Sequence, residues 1–381
     1  MARFILRRLL LSIPVVFGIV FVVFTTARLI PGDPCRAILG ERATDATCHE
    51  FIRRYGLDKA ILPGLFRRES DLVFDASQIV PTLGDNQFLG YLGQVASGDL
   101  GQSIKQSRPV TTMLVERLPT TIELTVLALL FAIIVGIPLG LISGYRRNSA
   151  ADVGTMAFAN FGVSMPVFVL GLLLAYTFAV ALKGTPFALP PSGRLSTGIE
   201  VVPLVEVWKL TDLQGPLRAL LDFVSGIYTV TALITGQWAA FFDALKHLIL
   251  PAIALGTIPL AIIARITRSS LLDVLGQDFV RTARAKGLRE RSVVIRHAAR
   301  NALLPVVTVI GLQLGGLLSG AILTETTFNL AGVGRSIVEA ITGRDYAVVQ
   351  GFTLVIAVVY VVVNLLVDIS YSYIDPRVRM R

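Results

Sequence analysis

Six apolar segments, each long enough to cross a lipid bilayer, constrain this chain more than any other feature. A helix that spans the hydrocarbon core needs about 20 residues. Charged residues make up only 16% of the chain, whereas soluble domains carry about 25%. The pattern therefore predicts an all-α polytopic membrane protein with six transmembrane helices. The predicted spans are Leu9–Ala27, Pro119–Ser143, Thr155–Leu182, Leu248–Ala264, Leu304–Leu323 and Ala347–Val367.

The distribution of basic residues predicts the orientation of these spans. A net charge of +9 would also fit a nucleic-acid-binding protein. The basic residues, however, collect in the short loops that one orientation places inside the cell. Nine of them lie between Arg265 and Arg300, and Arg146 and Arg147 occupy the turn after the second span. Because lysine and arginine mark cytoplasmic loops, we expect both termini to be cytoplasmic, facing anionic inner-leaflet lipid.

The segments between the spans divide the chain into regions. The N-terminal apolar run is longer than a signal-peptide core, so we expect an uncleaved first helix. The next 90 or so residues are too many for a simple connection, which predicts a small extracytoplasmic subdomain. The apolar run Phe223–Trp238 is interpreted as an interfacial or re-entrant piece, because a seventh crossing would invert the charge distribution. The regions are 1–29 (first transmembrane helix), 30–118 (extracytoplasmic subdomain) and 119–381 (core with helices 2–6), the core including an outer segment, 183–246, and a polar cytoplasmic loop, 265–303.

The two cysteines of the chain, Cys35 and Cys48, both lie in the first outer segment. In an oxidising compartment they can form a disulfide. Two separate thiols remain the alternative, since only the shared location links the pair.

The polar loop between the fourth and fifth spans contains a short predicted helix. Asp278 is expected to cap it, Phe279–Lys286 to form it, and Gly287 to end it. Two helical turns are not stable alone in water, so packing or a partner must hold them. Phe279, Thr282, Ala283 and Lys286 share one predicted face, and the small residues on it would let another surface approach. A solvated basic loop against lipid headgroups is the alternative interpretation.

This loop resembles the EAA loop of bacterial ABC importer permeases, in the dipeptide/oligopeptide branch that also takes up nickel and related solutes. The resemblance rests first on Thr282–Gly287 and Arg296–Pro305. Further matching motifs follow in order along almost the whole chain: Pro31–Pro34, Gly98–Ser103, Leu118–Leu124, Arg344–Tyr346, Asn364–Asp368 and Asp375–Arg377. Two features depart from that branch: Ala331 stands where proline is usual, and the outer stretches 65–87 and 196–238 are enlarged.

The resemblance implies a type I ABC importer permease fold in the bacterial inner membrane, with a coupling helix that contacts an ATPase. The implied contact residues are Asp278, Arg281, Thr282, Ala283, Arg284, Ala285, Lys286 and Gly287. The implied partners are a second homologous permease subunit, two cytoplasmic ATP-binding subunits and an extracytoplasmic solute-binding protein. ATP and magnesium would be bound by the partner subunits. This chain has no phosphate-binding loop sequence and its three histidines are far apart, so we expect no catalysis, metal or cofactor.

The expected function is therefore that of a permease subunit importing peptides or a related solute, such as nickel, a glutathione-like compound or an oligosaccharide. A self-contained secondary transporter or channel is the main alternative, and a membrane scaffold is a third. Ion-coupled carriers usually keep ionisable residues within the membrane, whereas Glu123 and Asp368 lie near span ends. The polar residues Asn160, Ser164 and Gln313 are candidates for a solute path, although each could instead bind a neighbouring helix.

Overall fold

Helices form nearly all the regular structure in the part of the chain that the structure describes. The structure is a computed structural model that describes residues 2–29, 34–40, 43–68 and 71–374. The α-helices are α1 Ala2–Leu29, α2 Pro34–Leu39, α3 Asp45–Arg54, α4 Ile79–Thr82, α5 Gln87–Ala96, α6 Val110–Tyr145, α7 Ala150–Phe161, α8 Val167–Ala175, α9 Leu204–Val207, α10 Pro216–Ser225, α11 Tyr228–Ile234, α12 Trp238–Leu275, α13 Asp278–Ala285, α14 Glu290–Ser292, α15 Arg300–Thr327, α16 Val333–Thr342 and α17 Tyr346–Ile374. The all-α class predicted from the sequence is confirmed.

Three short helical turns and one hairpin complete this description. A 3₁₀ turn covers Ala76–Gln78, and wide π-helical turns cover Tyr176–Ala181 and Val293–Ala299. Strands β1, Leu65–Arg68, and β2, Asp71–Phe74, form an antiparallel hairpin. This hairpin lies in one of the enlarged outer stretches.

Among the described residues, five helical stretches are long and apolar enough to cross a membrane. They lie in α1, α6, α12, the run from Glu290 to Leu318, and α17. A sixth crossing is counted only if the bent pair α10 and α11 is taken as one span. Five of the six predicted spans thus correspond to continuous helices.

The third predicted span, Thr155–Leu182, is wrong as a single helix. Helix α7 ends at Phe161, the chain turns through residues 162–166, and α8 begins at Val167. The cause lies in Gly162 and Pro166, because proline has no N–H for the helical ladder and disfavours helix at the preceding residue. The apolar stretch beyond the break, Val167–Ala181, is shorter than a full crossing.

The outer segment between α8 and α12 is anchored by a buried ion pair. Glu123 of α6 accepts hydrogen bonds from Arg194 Nη2 at 2.6 Å and from the Thr229 backbone N–H at 2.6 Å. Arg194 also lies 3.6 Å from the ring centre of Tyr228. The pair therefore fixes the start of α11, which is bent by 101° from α10. A broken span and a re-entrant loop both contain such a bend, so the re-entrant interpretation of this stretch stays a prediction.

The chain divides into two compact units. The N-terminal unit comprises the described residues of Leu6–Arg117 together with Ser336–Val359. Its core joins Phe24 of α1 to Phe88 and Tyr91 of α5, with Ile61 and Leu354 beside them. Cys35 and Cys48 form a disulfide in this unit, with their Cα atoms 5.4 Å apart. The predicted subdomain therefore shares its core with α1 and with the start of α17.

The core unit comprises Leu118–Arg335 with the described residues of 1–5 and 360–381. Glycines bring its long helices into close contact. A Cβ atom at Gly140 of α6 would lie 2.5 Å from the backbone oxygen of Ala264 in α12. On α15, Gly311 faces Val367 and a Cβ at Gly315 would lie 2.7 Å from Tyr360. The Gly-x-x-x-Gly spacing of Gly311 and Gly315 thus serves packing against α17 within the same chain.

Candidate functional site

The short helix α13 follows the long helix α12 after a tight break. The chain leaves α12 at Gly276, and Gln277 has an extended conformation (φ −79°, ψ 153°) that turns it into α13. Asp278 was expected to be the cap, but Gln277 occupies that position and Asp278 is the first helical residue. A carboxylate there still favours the helix, because it faces the positive end of the helix dipole. Gly287 follows the helix with φ +74°, as its predicted role as a stop requires.

One side of α13 is buried against the chain's own core. Val280 is fully buried and Ala283 is 7% exposed. They pack against residues of α12 and the following helical run, namely Leu271, Val274, Val293, Ala298 and Ala302. This packing explains how two turns remain helical. It also corrects the predicted face, because Ala283 points into the core instead of sharing an exposed surface with Phe279, Thr282 and Lys286.

The opposite side of α13 is exposed and carries both apolar and basic groups. Phe279 is 39% exposed and Leu288, just beyond the helix, is 42% exposed. The polar and small members of this surface are also exposed: Arg281, Thr282, Arg284, Ala285, Lys286 and Gly287. We name this set, with Phe279 and Leu288, the α13 surface. An aromatic anchor among cations suits a protein groove with acidic edges.

An ion pair stiffens the turn after α13. Arg284 donates from Nε and Nη2 to the two carboxylate oxygens of Glu290, at 3.1 and 2.7 Å. The pair closes the loop that contains Gly287. The helical run that follows includes the π-helical turn before α15, and Ser292 lies within this run. His297 is half-buried in the π-helical turn, where its backbone oxygen accepts from Asn301.

A second polar cluster was not predicted and lies where α6, α7 and α12 meet. Asp152 is 5% exposed and receives two hydrogen bonds from Arg268, each 2.8 Å long. Ser143 and the Asn148 backbone N–H also donate to it. The bonds from Arg268, then those from Ser143 and Asn148, hold the pKa of Asp152 well below its ordinary value. Ser149 caps α7, since its side chain accepts a hydrogen bond from the Asp152 backbone N–H.

A groove of about 530 Å³ adjoins this cluster on the side of the chain that carries the basic loops. Arg146 and Arg147 line it, opposite Leu272 and Leu275 at the end of α12. The groove ends at Gly276, two residues before α13. The α13 surface and the groove are therefore neighbouring parts of one basic face.

The solute-path candidates lie in two places. Asn160 and Ser164 stand at the break of the third span, where the Ser164 hydroxyl donates to the Asn160 backbone oxygen at 3.1 Å. The Asn160 side chain accepts from Arg265 Nη2 of α12 at 3.0 Å. Gln313 lies half-buried on α15. Among the residues that the structure describes, there is no cluster of acidic, histidine or cysteine side chains suited to a metal ion.

Comparison with known proteins decides the family. The sequence profile of the binding-protein-dependent transport system inner membrane component matches residues 136–380. A profile for the N-terminal part of such membrane components matches residues 1–125. The chain belongs to this family. Its motifs at Pro31–Asp33 and Asp375–Arg377 lie outside the described residues.

Curated relatives of this permease family align along its whole length. The dipeptide transport system permease protein DppB of Alkalihalophilus pseudofirmus is 41% identical over 379 residues, covering 100% of both chains. DppB of Escherichia coli K12 is 43% identical over 380 residues, covering 100% of this chain and 99% of the relative. The oligopeptide transport system permease protein AppB of Bacillus subtilis is 33% identical, covering 99% of each. The chain is therefore a multi-pass permease component of the inner membrane and a non-catalytic subunit of its transporter.

Proposed function

We propose that this permease subunit imports short peptides and is driven by ATP hydrolysis on partner subunits that dock on the α13 surface. The observation that carries the proposal is the division of α13 into two sides. Val280 and Ala283 fix one side to the permease, while Phe279 and the basic residues are presented on the other. A helix fixed in this way can transmit a displacement of the ATPase to the permease, because α13 cannot move without the permease residues that it packs against.

Peptide is the proposed solute because the aligned relatives are named as dipeptide and oligopeptide permeases. Nickel, glutathione-like compounds and oligosaccharides are the other solutes to test. The proposed complex contains a second homologous permease subunit, two ATP-binding subunits and an extracytoplasmic binding protein. ATP and magnesium are bound by the ATP-binding subunits, and both termini of this chain face them.

The docking proposal predicts that Phe279 is an anchor for the ATPase. Truncating an aromatic anchor at the centre of an interface typically costs about 2 kcal/mol or more, a loss of roughly 30-fold in affinity. Phe279→Ala should therefore weaken binding of the isolated ATP-binding subunits to the purified permease by about that factor. It should also lower ATP-dependent uptake of a labelled dipeptide into proteoliposomes.

Phe242→Ala is the matched control, because Phe242 of α12 is 56% exposed but lies outside the α13 surface. The control should bind the ATP-binding subunits like the unaltered protein. Equal affinity of the Phe279→Ala and Phe242→Ala variants would reject the α13 surface as the docking site. Uptake that persists without ATP would reject an ATP-driven mechanism, and uptake of nickel instead of dipeptide would replace the proposed solute.

A further inference from the structure

Three contacts fasten α7, the first half of the third span, to α12. In the first turn of α7, Asp152 forms its ion pair with Arg268. At the last turn, Asn160 accepts from Arg265 at 3.0 Å. Immediately after the helix, Gly162 approaches so closely that a Cβ atom there would lie 2.5 Å from Thr257. The contacts therefore run along the whole of α7.

The same part of α12 continues into α13. Leu271 and Val274, near the end of α12, share a buried cluster with Val280 and Ala283 of α13. Helix α6 also packs against this group, since a Cβ atom added at Gly144 would lie 3.1 Å from the Arg268 backbone oxygen. Close packing of this kind transmits displacement, because packed helices deform little. Helix α7, the end of α12 and α13 thus form one packed body.

The third span and helix α12 each contain a site where a helix readily bends, and the two sites lie side by side. The third span is interrupted at residues 162–166, and α12 contains Pro259 two residues beyond Thr257, the residue that Gly162 contacts. Proline removes a helical hydrogen bond and is a common site of kinking. Beyond the break, Gly171 of α8 packs against Phe328, which directly follows α15. A Cβ atom at Gly171 would lie 3.0 Å from the Phe328 ring.

Building on the proposed docking of the ATPase at α13, we infer that Asp152 is a positioning residue. Through its ion pair with Arg268, Asp152 makes α7 follow α13 when the ATPase moves. Helix α8 instead keeps its contact with Phe328. The third span then bends at residues 162–166, which places Asn160 and Ser164 at the moving joint. Their role is to shape this joint.

The inference is tested by measuring how many dipeptides are taken up for each ATP hydrolysed by the reconstituted complex. Asp152→Asn removes the charge and keeps the shape. It should leave assembly and ATP hydrolysis in place but lower uptake per ATP about tenfold, within the range of measured couplings between sites. Asp152→Glu should restore most of the ratio. Asp273→Asn, at an exposed acid near the end of α12, is the control and should not change it.

An unchanged ratio of uptake to ATP hydrolysis in Asp152→Asn would overturn the inference, even if uptake and hydrolysis both fall in equal proportion. A second measurement uses spin labels on an otherwise unaltered complex and does not depend on the folding of an Asp152 variant. The distance between labels at Val153 and Ser269 should be the same with and without ATP, because both lie in one body. The distance between labels at Val153 and Leu172 should change.

A change in the Val153–Ser269 distance would show that α7 and α12 move separately and would overturn the inference. Failure of the proposed function would appear elsewhere. It would be seen in the unaltered complex as missing ATP-dependent uptake, or in the Phe279→Ala variant as undiminished ATPase binding. The inference on Asp152 fails only in a complex that transports.

Discussion

Thr121 of α6 donates a 2.6 Å hydrogen bond to the carboxylate of Glu325, a fully buried residue near the end of α15. The same threonine oxygen accepts from the Val333 backbone N–H at 2.9 Å, and Glu325 accepts from the Arg335 N–H at 3.0 Å. Two residues thus join α6, α15 and the start of α16. Gly332 lies against the carboxylate so closely that a Cβ there would collide with it.

Removing this carboxylate should destabilise the protein. Glu325→Ala leaves buried N–H and hydroxyl donors without partners, which costs about 1–3 kcal/mol. Glu325→Gln retains an acceptor oxygen and should cost less. Thermal unfolding of the detergent-purified protein would measure both, and an alanine variant as stable as the glutamine variant would contradict this account.

The stability contributed by Glu325 should also depend on pH. Burial raises the pKa of this carboxyl above its ordinary value of 4.5, although Thr121 and the Arg335 N–H oppose the shift. The folded protein therefore holds this proton more tightly than the unfolded chain does. The contribution is fully present below the unfolded pKa and is lost as pH rises through the folded pKa. Melting temperatures measured upward from pH 4.5 should fall less steeply in Glu325→Gln than in the unaltered protein, and equal slopes would refute the prediction.

Glycine at position 140 should be required for the contact between α6 and α12. Gly140→Ala places a methyl group against the Ala264 backbone oxygen, which cannot move aside, and overpacking of this kind costs about 1–3 kcal/mol. Gly154→Ala is the control, because a Cβ at Gly154 meets nothing within 4 Å. It should be neutral or stabilising by up to about 1 kcal/mol, since alanine favours helix. Comparable melting temperatures for the two variants would argue against this contact.

Gly287 should be needed for its backbone conformation alone. A Cβ at this position meets no atom within 4 Å, yet φ is +74°. Gly287→Val should cost about 1–2 kcal/mol through backbone strain and misplace the end of α13. Gly287→Asn should be milder, because asparagine tolerates the left-handed region. ATPase binding should therefore fall most in the valine variant and less in the asparagine variant, and a valine variant that binds normally would exclude the turn from docking.

Breaking the disulfide should loosen the N-terminal unit. Cys35 and Cys48 are 13 residues apart, and closing a loop of about this size is worth roughly 3 kcal/mol in the chain-entropy description. Replacing both cysteines by serine should make the segment around α3 more sensitive to limited proteolysis. Cleavage of the core unit serves as the internal reference, and unchanged proteolysis near α3 would count against the expectation.

The sequence predicts those parts of the fold that follow from local composition. Long apolar runs indicate α1, α6, α12, α15 and α17, and Gly287 marks the end of α13. The break at residues 162–166 also has a local signal in Gly162 and Pro166. The sequence pattern still predicts one continuous span there, because the residues before and after the break are equally apolar.

The candidate site could be predicted only in part, because its orientation depends on distant residues. In an eight-residue helix, Phe279 and Val280 are equally plausible inward residues, and only packing against Leu271 decides for Val280 and Ala283. Asp152 and Arg268 are separated by 116 positions, and no local pattern joins them. Buried ion pairs of this kind require the fold to be known.

The disulfide between Cys35 and Cys48 has a consequence for how the chain is inserted. The reducing thiol pool of bacterial cytosol would keep such a pair apart, so formation of the bond requires that this segment be translocated first. The oxidation state of the two cysteines therefore indicates on which side of the membrane this segment lies. In intact cells, protection of both thiols from alkylation until a reductant is added would assign this segment to the periplasm, and with it the direction in which α6, the next long helix, crosses the membrane.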